Sequence, residues 1–420
     1  MTSSLFLMAF LAAMLLYVVV EASLSVLNLR YGAAHSEHVP TFARSHVDAD
    51  SFMKACSYTR ARGQFGLFSL GYGGLFLLIF LLCGGFGAVD NRLFSLGLSP
   101  YLHGVLYVLC VGLIFSVVDL PISLYSTFVI EERFGFNKST LWLWCLDTLK
   151  GVLLSALIMT PVLLGLFWFM GQSGRWWWLY AFVFLAFLQF VFMLLMPIWI
   201  LPLFNKFTPL PEGDLKDRIL SLCEKASYRI AGIFLMDGSK RSAHANAFFT
   251  GFGATKRIVL FDTLVSQLAP EETAAVLAHE MGHALHGHIK KSVALSLFAA
   301  LVGLLALDWL MAQPGLYGAF GFSRPSLHAA LVIFLFASSP FTYFLTPLFS
   351  MLSRRFEYQA DRFACSLTGT PDDLTNGLLR LSKNSLSNLT PHPWYSFFHY
   401  SHPTLGERIA AMESFAAKGE

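Results

Sequence analysis

Two histidines four residues apart, His279 and His283, flank Glu280 in the run VLAHEMGHALHGH at 276–288. On a helix, residues i and i+4 stand one turn apart on one face, so both imidazoles can converge on a single divalent ion. Zn²⁺ suits that donor pair, and a glutamate beside the first histidine is placed to polarise a water. The chemistry is then metal-assisted hydrolysis. In a 420-residue chain with 13 histidines, roughly 0.01 accidental copies of H-E-x-x-H are expected. The rival reading is a membrane-proximal helix whose histidines merely titrate near neutral pH.

A catalytic zinc takes a third protein ligand and keeps one position open. His286 shares a face with His279 but lies seven residues on, about 10 Å along the axis at helical rise, too far for one ion held at ~2.0 Å. The longer motif H-E-x-x-H-x-x-G-x-x-H also fails, because position 286 is His and position 289 is Ile. His286 and His288 are therefore expected beside the site or at an interface rather than as ligands. Glu357 and Asp361, in SRRFEYQADRFACSL at 353–367, stand four apart on one helical face. Glu357 can supply the third ligand, and Asp361 can accept the N–H of a ligating histidine and fix its tautomer. The alternative is an ordinary charged helix in which Arg354, Arg355 and Arg362 pair with these acids.

The elements that must hold these residues follow from composition. The chain is 55% hydrophobic and only 13% charged, with a mean hydropathy of +0.59. A soluble protein of this size is about a quarter charged. Seven apolar stretches approach or exceed the roughly 20 residues needed to cross a bilayer, near 4–27, 65–86, 104–130, 151–170, 176–203, 292–312 and 327–351. No Lys or Arg precedes the first, and its apolar run is too long for a signal peptide, so it reads as a retained span. Arg30, Arg44, Lys54, Arg60 and Arg62 follow span one, and Arg133, Lys138 and Lys150 follow span three. The alternate loops carry one basic residue each, Arg92, Arg175 and Arg324. The positive-inside rule then puts the N-terminus outside and the C-terminus in the cytoplasm, as seven crossings require.

The histidine motif falls in the polar segment between spans five and six. Its helix is expected to start near Pro270, with Glu271 and Glu272 at the positive end of the dipole. HANAFFTGF followed by RIVLFDTL reads as two short paired strands just before it, whose edge could take an extended peptide by strand addition. Six scattered cysteines form no C-x-x-C pair, so neither a disulfide framework nor a thiolate zinc site is indicated. A net charge of +3 without a basic tract gives no reason to expect nucleic acid as a partner. Asp119, inside span three, is expected to face a wet interior, because a carboxylate against lipid costs several kcal/mol.

Five passages together carry a family resemblance: FVIEERFGFNKST, MPIWILPLFNKFTPLPEGDL, SAHANAFFTGFGATKRIVLFDTL, HEMGH with EYQAD, and YSHPTLGERI. The chain resembles the type I CAAX prenyl endopeptidases over nearly its whole length, seven spans included. The resemblance implies an all-α polytopic membrane protein, seven transmembrane helices around a chamber, with a small α+β zinc metallopeptidase domain on the cytoplasmic side. It implies His279, His283 and Glu357 as ligands and Glu280 as catalytic base. It also singles out Asn246 to anchor substrate backbone, His402 to donate to the oxyanion, and Arg408 to support it or to reach a substrate carboxylate. Arg133 and Phe134 depart from a Lys-His pair common at that loop, which leaves the loop's role open.

The expected organisation is 1–204 with five spans, 205–291 with the H-E-x-x-H helix, 292–352 with two spans, and 353–420 with the third ligand. The partners expected are a peptide or lipidated protein substrate and the bilayer. Short outer loops, and a tail SFAAKGE without a lysine retrieval signal, favour a bacterial cytoplasmic membrane over the endoplasmic reticulum. Two rivals remain: the same chemistry used for membrane-protein quality control with no prenyl substrate, and a seven-span receptor or transporter with a dead metal site.

Overall fold

The computed structural model describes residues 2–251 and 256–419. Among them are seven helices long and apolar enough to cross a membrane, one for each expected stretch. They belong to α1 (Ser3–Ala34), α2 (Ala49–Leu82), α4 (Pro100–Tyr125), α5 (Leu141–Gln172), α6 (Trp177–Leu195), α9 (His288–Met311) and α10 (Leu327–Thr368). Between α2 and α4 lies the short α3 (Gly85–Phe94). Span three continues from α4 through a π-helical turn, Ser126–Glu131, before Gly135 at φ 88° ends it. The outer helices of the peptidase half are α7 (Asp214–Lys225), α8 (Pro270–Leu285), α11 (Asp372–Asn384), α12 (Pro393–His399) and α13 (Leu405–Gly419).

Several helices outrun their apolar limits, α2 and α10 by the most. Hydropathy registers where the solvent changes, whereas a helix stops only where its backbone is interrupted. α2 therefore begins at Ala49, capped by Asp48, and runs through a charged stretch before it turns apolar. Its end is set by Gly84 at φ 70°, which places Phe86 in α3 instead of span two. α10 runs 42 residues without a break, so the expected division at 352/353 falls inside a continuous helix. That continuity carries Glu357 and Asp361 from the membrane to the peptidase half on a rigid rod.

The apolar residues pack in two main bodies. One gathers Phe10, Phe86, Tyr107, Phe167, Trp177, Leu307 and Ala330, from seven different helices, at one end of the bundle. The other is the core of the peptidase half, with Ile219, Ile258, Leu260, Leu277, Met281, Ala364 and Met412. Between the two ends the spans touch through scattered pairs such as Tyr72 with Val118 and Tyr343 with Glu21, and the most apolar windows of α1, α2 and α6 are only 6% buried. A solid bundle would bury one stripe of every helix. Here most of the apolar span surface stays exposed, with aromatic packing at one end and the peptidase half at the other. Asp119, in the last third of α4, is exposed.

A four-stranded sheet sits beside α8. It comprises β1 (Phe207–Pro209), β2 (Gly232–Met236), β3 (Ala247–Thr250) and β4 (Arg257–Phe261), in the order β1-β2-β4-β3. Ile258, Val259 and Leu260 of β4 are fully buried, as a central strand covered on both faces requires. The expected pairing of HANAFF with RIVLF is antiparallel, with Phe248 opposite Val259. Residues 252–255 of that passage lie outside the described residues. β3 is an edge strand, with no second strand partner among the described residues.

α8 and α10 cross at Gly282. A Cβ built there would stand 2.9 Å from the Ala360 Cα and 3.1 Å from its carbonyl oxygen. Backbone atoms cannot yield, so any side chain at 282 pushes the helices apart. Gly282→Val is expected to cost about 1–3 kcal/mol by overpacking. It should also weaken metal retention, because Glu357 lies one turn from the crossing on α10. Thermal denaturation and elemental analysis of the purified variant check both effects.

Candidate active site

The site is assembled from three helices. α8 starts where Pro270 predicts, and the Glu272 carboxylate accepts the Ala269 N–H at 2.9 Å, closing its first turn. Ala274, Ala275, Leu277, Ala278 and Met281 bury most of the α8 surface and leave it no freedom to rotate. On its remaining face the Nε2 atoms of His279 and His283 stand 3.1 Å apart. α10 delivers Glu357, whose Oε2 is 3.5 Å from His279 Nε2 and whose Oε1 is 3.2 Å from His283 Nε2. α13 delivers Arg408 and the loop before it delivers His402.

These three donors fit a metal ion. Ligands held tetrahedrally at ~2.1 Å stand about 3.4 Å from one another, and the observed edges of 3.1, 3.5 and 3.2 Å bracket that value. Glu357 is 3% exposed, and its Oε2 has no properly directed hydrogen bond, an arrangement a cation would satisfy. The donor set, two imidazoles and one carboxylate, is one that zinc favours in catalytic sites.

The surroundings orient each ligand. Asp361, 1% exposed, accepts from His279 Nδ1 at 2.7 Å, which leaves Nε2 bare toward Glu357. Arg408 grips the same carboxylate in two places, Nε to Oδ2 at 2.9 Å and Nη2 to Oδ1 at 2.6 Å. Burial by itself disfavours a charged His279, but the hydrogen bonds to Asp361 and Glu357 outweigh it and hold its pKa above the ordinary histidine value. In the metal-free protein a proton therefore competes for this imidazole, and metal loading weakens as pH falls. None of Arg354, Arg355 and Arg362 forms an ion pair with Glu357 or Asp361; Arg354 instead donates to the Tyr400 carbonyl at 2.7 Å and steadies the loop that carries His402.

The other singled-out residues sit at graded distances. Glu280 is half-buried and lines, with His283, a cavity of about 920 Å³. Phe248 and Phe249 of β3 share its wall with Ile158, Met193, Met196 and Ile289 from the spans. His402 is largely exposed, with Nδ1 2.7 Å from Glu357 Oε2. Arg408 is buried and committed to Asp361, so it braces the site instead of standing free for a substrate carboxylate. Asn246 is exposed at the entry to β3, its Oδ1 accepting the Ala247 N–H at 2.8 Å and its carbonyl accepting from Phe261 N–H at 3.0 Å. Arg133 is clear of the site: it lines a separate cavity between α2 and α4. His286 is exposed and donates from Nδ1 back to the Gly282 carbonyl, away from the donors.

His288 has a larger part than its spacing suggests. Gly287, at φ 68°, turns the chain and swings His288 under the site. The Gln359 side-chain carbonyl accepts from its Nε2 at 2.8 Å, so its Nδ1 is free to accept from His283 Nδ1 at 3.0 Å. That relay presents His283 Nε2 as a lone pair toward the other donors, as Asp361 does for His279. Neither Gln359 nor this relay is readable from sequence, because both depend on the α9 turn lying against α10. The His288 ring also stacks on Phe356 at 4.2 Å, so His288→Phe keeps the packing and removes the hydrogen bond. The expected result is a 10–100-fold loss in metal affinity, measured by competition with a chromophoric chelator.

A seven-span bundle with a cavity-facing triangle of metal donors defines a membrane-embedded metallopeptidase. Comparison with known proteins makes that particular. Residues 28–206 match the CAAX prenyl protease N-terminal region of five membrane helices, and residues 209–416 match peptidase family M48. The chain is 37% identical to the CAAX prenyl protease 1 of Saccharomyces cerevisiae, covering 93% of this chain and 91% of that one. It is 40% identical to a rice CAAX prenyl protease 1 homolog over 77% and 76% of the two chains. A human homolog is 33% identical over 90% and 89%. The crystal structure of S. mikatae Ste24p superposes with a TM-score of 0.91 at 33% identity, covering 97% and 98% of the two chains. This chain belongs to peptidase family M48, among the CAAX prenyl proteases.

Proposed function

We propose that this chain is a zinc endopeptidase that cleaves peptide bonds near the C-terminus of prenylated CAAX-type substrates. The observation that carries the reading is the His279–His283–Glu357 triangle opening, through Glu280, onto an apolar cavity beside an unpaired strand edge. Zinc held there would supply a Lewis acid that polarises the scissile carbonyl and lowers the pKa of a water. Glu280 takes the proton of the attacking water and passes it to the leaving amine. His402 donates to the oxyanion that develops on the carbonyl. Asp361 and Arg408 keep His279 in its ligating tautomer. An extended peptide adds to β3, with Asn246 at the start of the strand to fix its register.

The cavity walls suit a lipid anchor, each buried CH₂ contributing about 0.8 kcal/mol. A farnesylated CAAX peptide is expected to be cleaved with kcat/KM roughly tenfold or more above its unlipidated twin. Equal rates would instead fit a quality-control protease. The basic loops around α2 and before α5 support a cytoplasmic peptidase half and an outside N-terminus. Short outer loops remain the support for a bacterial cytoplasmic membrane, while the relatives named above come from fungi, a plant and an animal. Accessibility of single engineered cysteines to an impermeant reagent tests the orientation.

A further inference from the structure

At the opposite end of the bundle, Asp90 on α3, His103 on α4 and His328 on α10 meet in the apolar core. They are 0%, 5% and 5% exposed, and one donor atom from each lies within 4.8 Å of the others. His328 and Glu357 stand 29 positions apart on the same helix, about 43 Å at helical rise, so this cluster is independent of the peptidase site. Asp90 Oδ1 sits between two imidazoles, 3.0 Å from His103 Nε2 and 2.8 Å from His328 Nε2. Ser326 Oγ is 3.0 Å from the same His328 nitrogen.

The hydrogen bonding does not close. Asp90 Oδ2 and His103 Nε2 are both buried without a directed partner. Arg324 Nη2 is 3.8 Å from Oδ2, beyond hydrogen-bond reach, and its guanidinium lies over the Phe94 ring. Buried polar atoms are left unpartnered only rarely, and here the unpartnered His103 Nε2 converges with His328 Nε2 on Asp90 Oδ1. We propose that Asp90, His103 and His328 form a second metal site, taking a borderline divalent cation, zinc before others, that clamps α3, α4 and α10 at the end of the bundle remote from catalysis. Two imidazoles and a carboxylate are the donor types that select such an ion. Arg324 offsets the carboxylate from the Oδ2 side and leaves Oδ1 for the ion. Each ligand comes from a different helix, so the ion would tie α3, α4 and α10 together at that end.

The test starts from full-length protein carrying His279→Ala and His283→Ala, which removes both imidazoles of the peptidase triangle and leaves the cluster whole. Titrated with Co²⁺ alone, this protein is expected to bind one equivalent with visible d–d absorption, and its Tm should fall when a chelator strips the metal. Adding His103→Ala and His328→Ala should abolish both signals, and Asp90→Asn, which preserves shape, should weaken binding by at least about tenfold. Absence of a bound equivalent in the first protein overturns the site and leaves a hydrogen-bonded triad. Cobalt that persists after His103 and His328 are removed overturns it equally. Neither result depends on whether the peptidase site proves to hold zinc.

Discussion

Glu280→Gln protein is expected to hold metal at wild-type stoichiometry and to cleave a farnesylated peptide roughly 10³-fold more slowly, within the 10²–10⁴ range of general-base catalysis. The amide matches the carboxylate in size and hydrogen-bonding reach but takes up no proton at neutral pH. Metal content should not change, because the donor triangle consists of His279, His283 and Glu357, and Glu280 points from the same helix into the cavity instead. Steady-state kinetics and elemental analysis on one preparation separate the two effects. A variant that keeps a tenth of wild-type turnover would place the base elsewhere, and His402, 2.7 Å from Glu357, would be the next residue to test. The same variant decides against a receptor or transporter with a dead site, for which Glu280 would be dispensable.

The grouping of the candidate donors was legible because helical spacing is a geometric constraint. His279 and His283 at i and i+4 can face one ion in any helix, and Glu357 and Asp361 repeat that spacing on a second. Sequence alone could not show that the second helix meets the first. That meeting depends on Gly282 lying against Ala360, a contact between residues 78 positions apart that no local pattern encodes. The seven spans were likewise visible in hydropathy, since the bilayer demands runs of apolar residues. Their true ends were not, because α2 and α10 continue as helices after the apolar character stops.

The roles around the metal were the least legible. Arg408 in YSHPTLGERI is expected to support the oxyanion donor or to reach a substrate carboxylate, whereas its buried guanidinium braces Asp361. A raised pKa keeps it charged: burial opposes the charge, and the Asp361 hydrogen bonds more than compensate. His288 reads as a bystander because it falls off the i, i+4 register. It reaches His283 only through the left-handed Gly287, which a periodic analysis treats as noise. Such residues act through a neighbour, and their signal lies in three-dimensional proximity.

Glu357→Ala is the stronger test of the whole arrangement. The variant is expected to contain one metal equivalent fewer than wild type and to lose peptidase activity by at least about 10³-fold, since two imidazoles alone do not complete a catalytic zinc site. Folding should survive, for a physical reason. Removing Glu357 does not orphan a buried cation: Arg408 keeps its two-point contact with Asp361, and its 3.7 Å approach to Glu357 is secondary. His402 loses only its 2.7 Å approach to Glu357, and the Arg354 contact to Tyr400 persists, so the loop between α12 and α13 should keep its place. Glu357→Gln separates charge from shape. It fills the same volume but offers a neutral, weaker oxygen, so it should bind zinc more weakly. Full zinc stoichiometry at ordinary affinity in the alanine variant would mean that another carboxylate completes the site, and Asp361, already 2.7 Å from His279, is the residue that could move to do so.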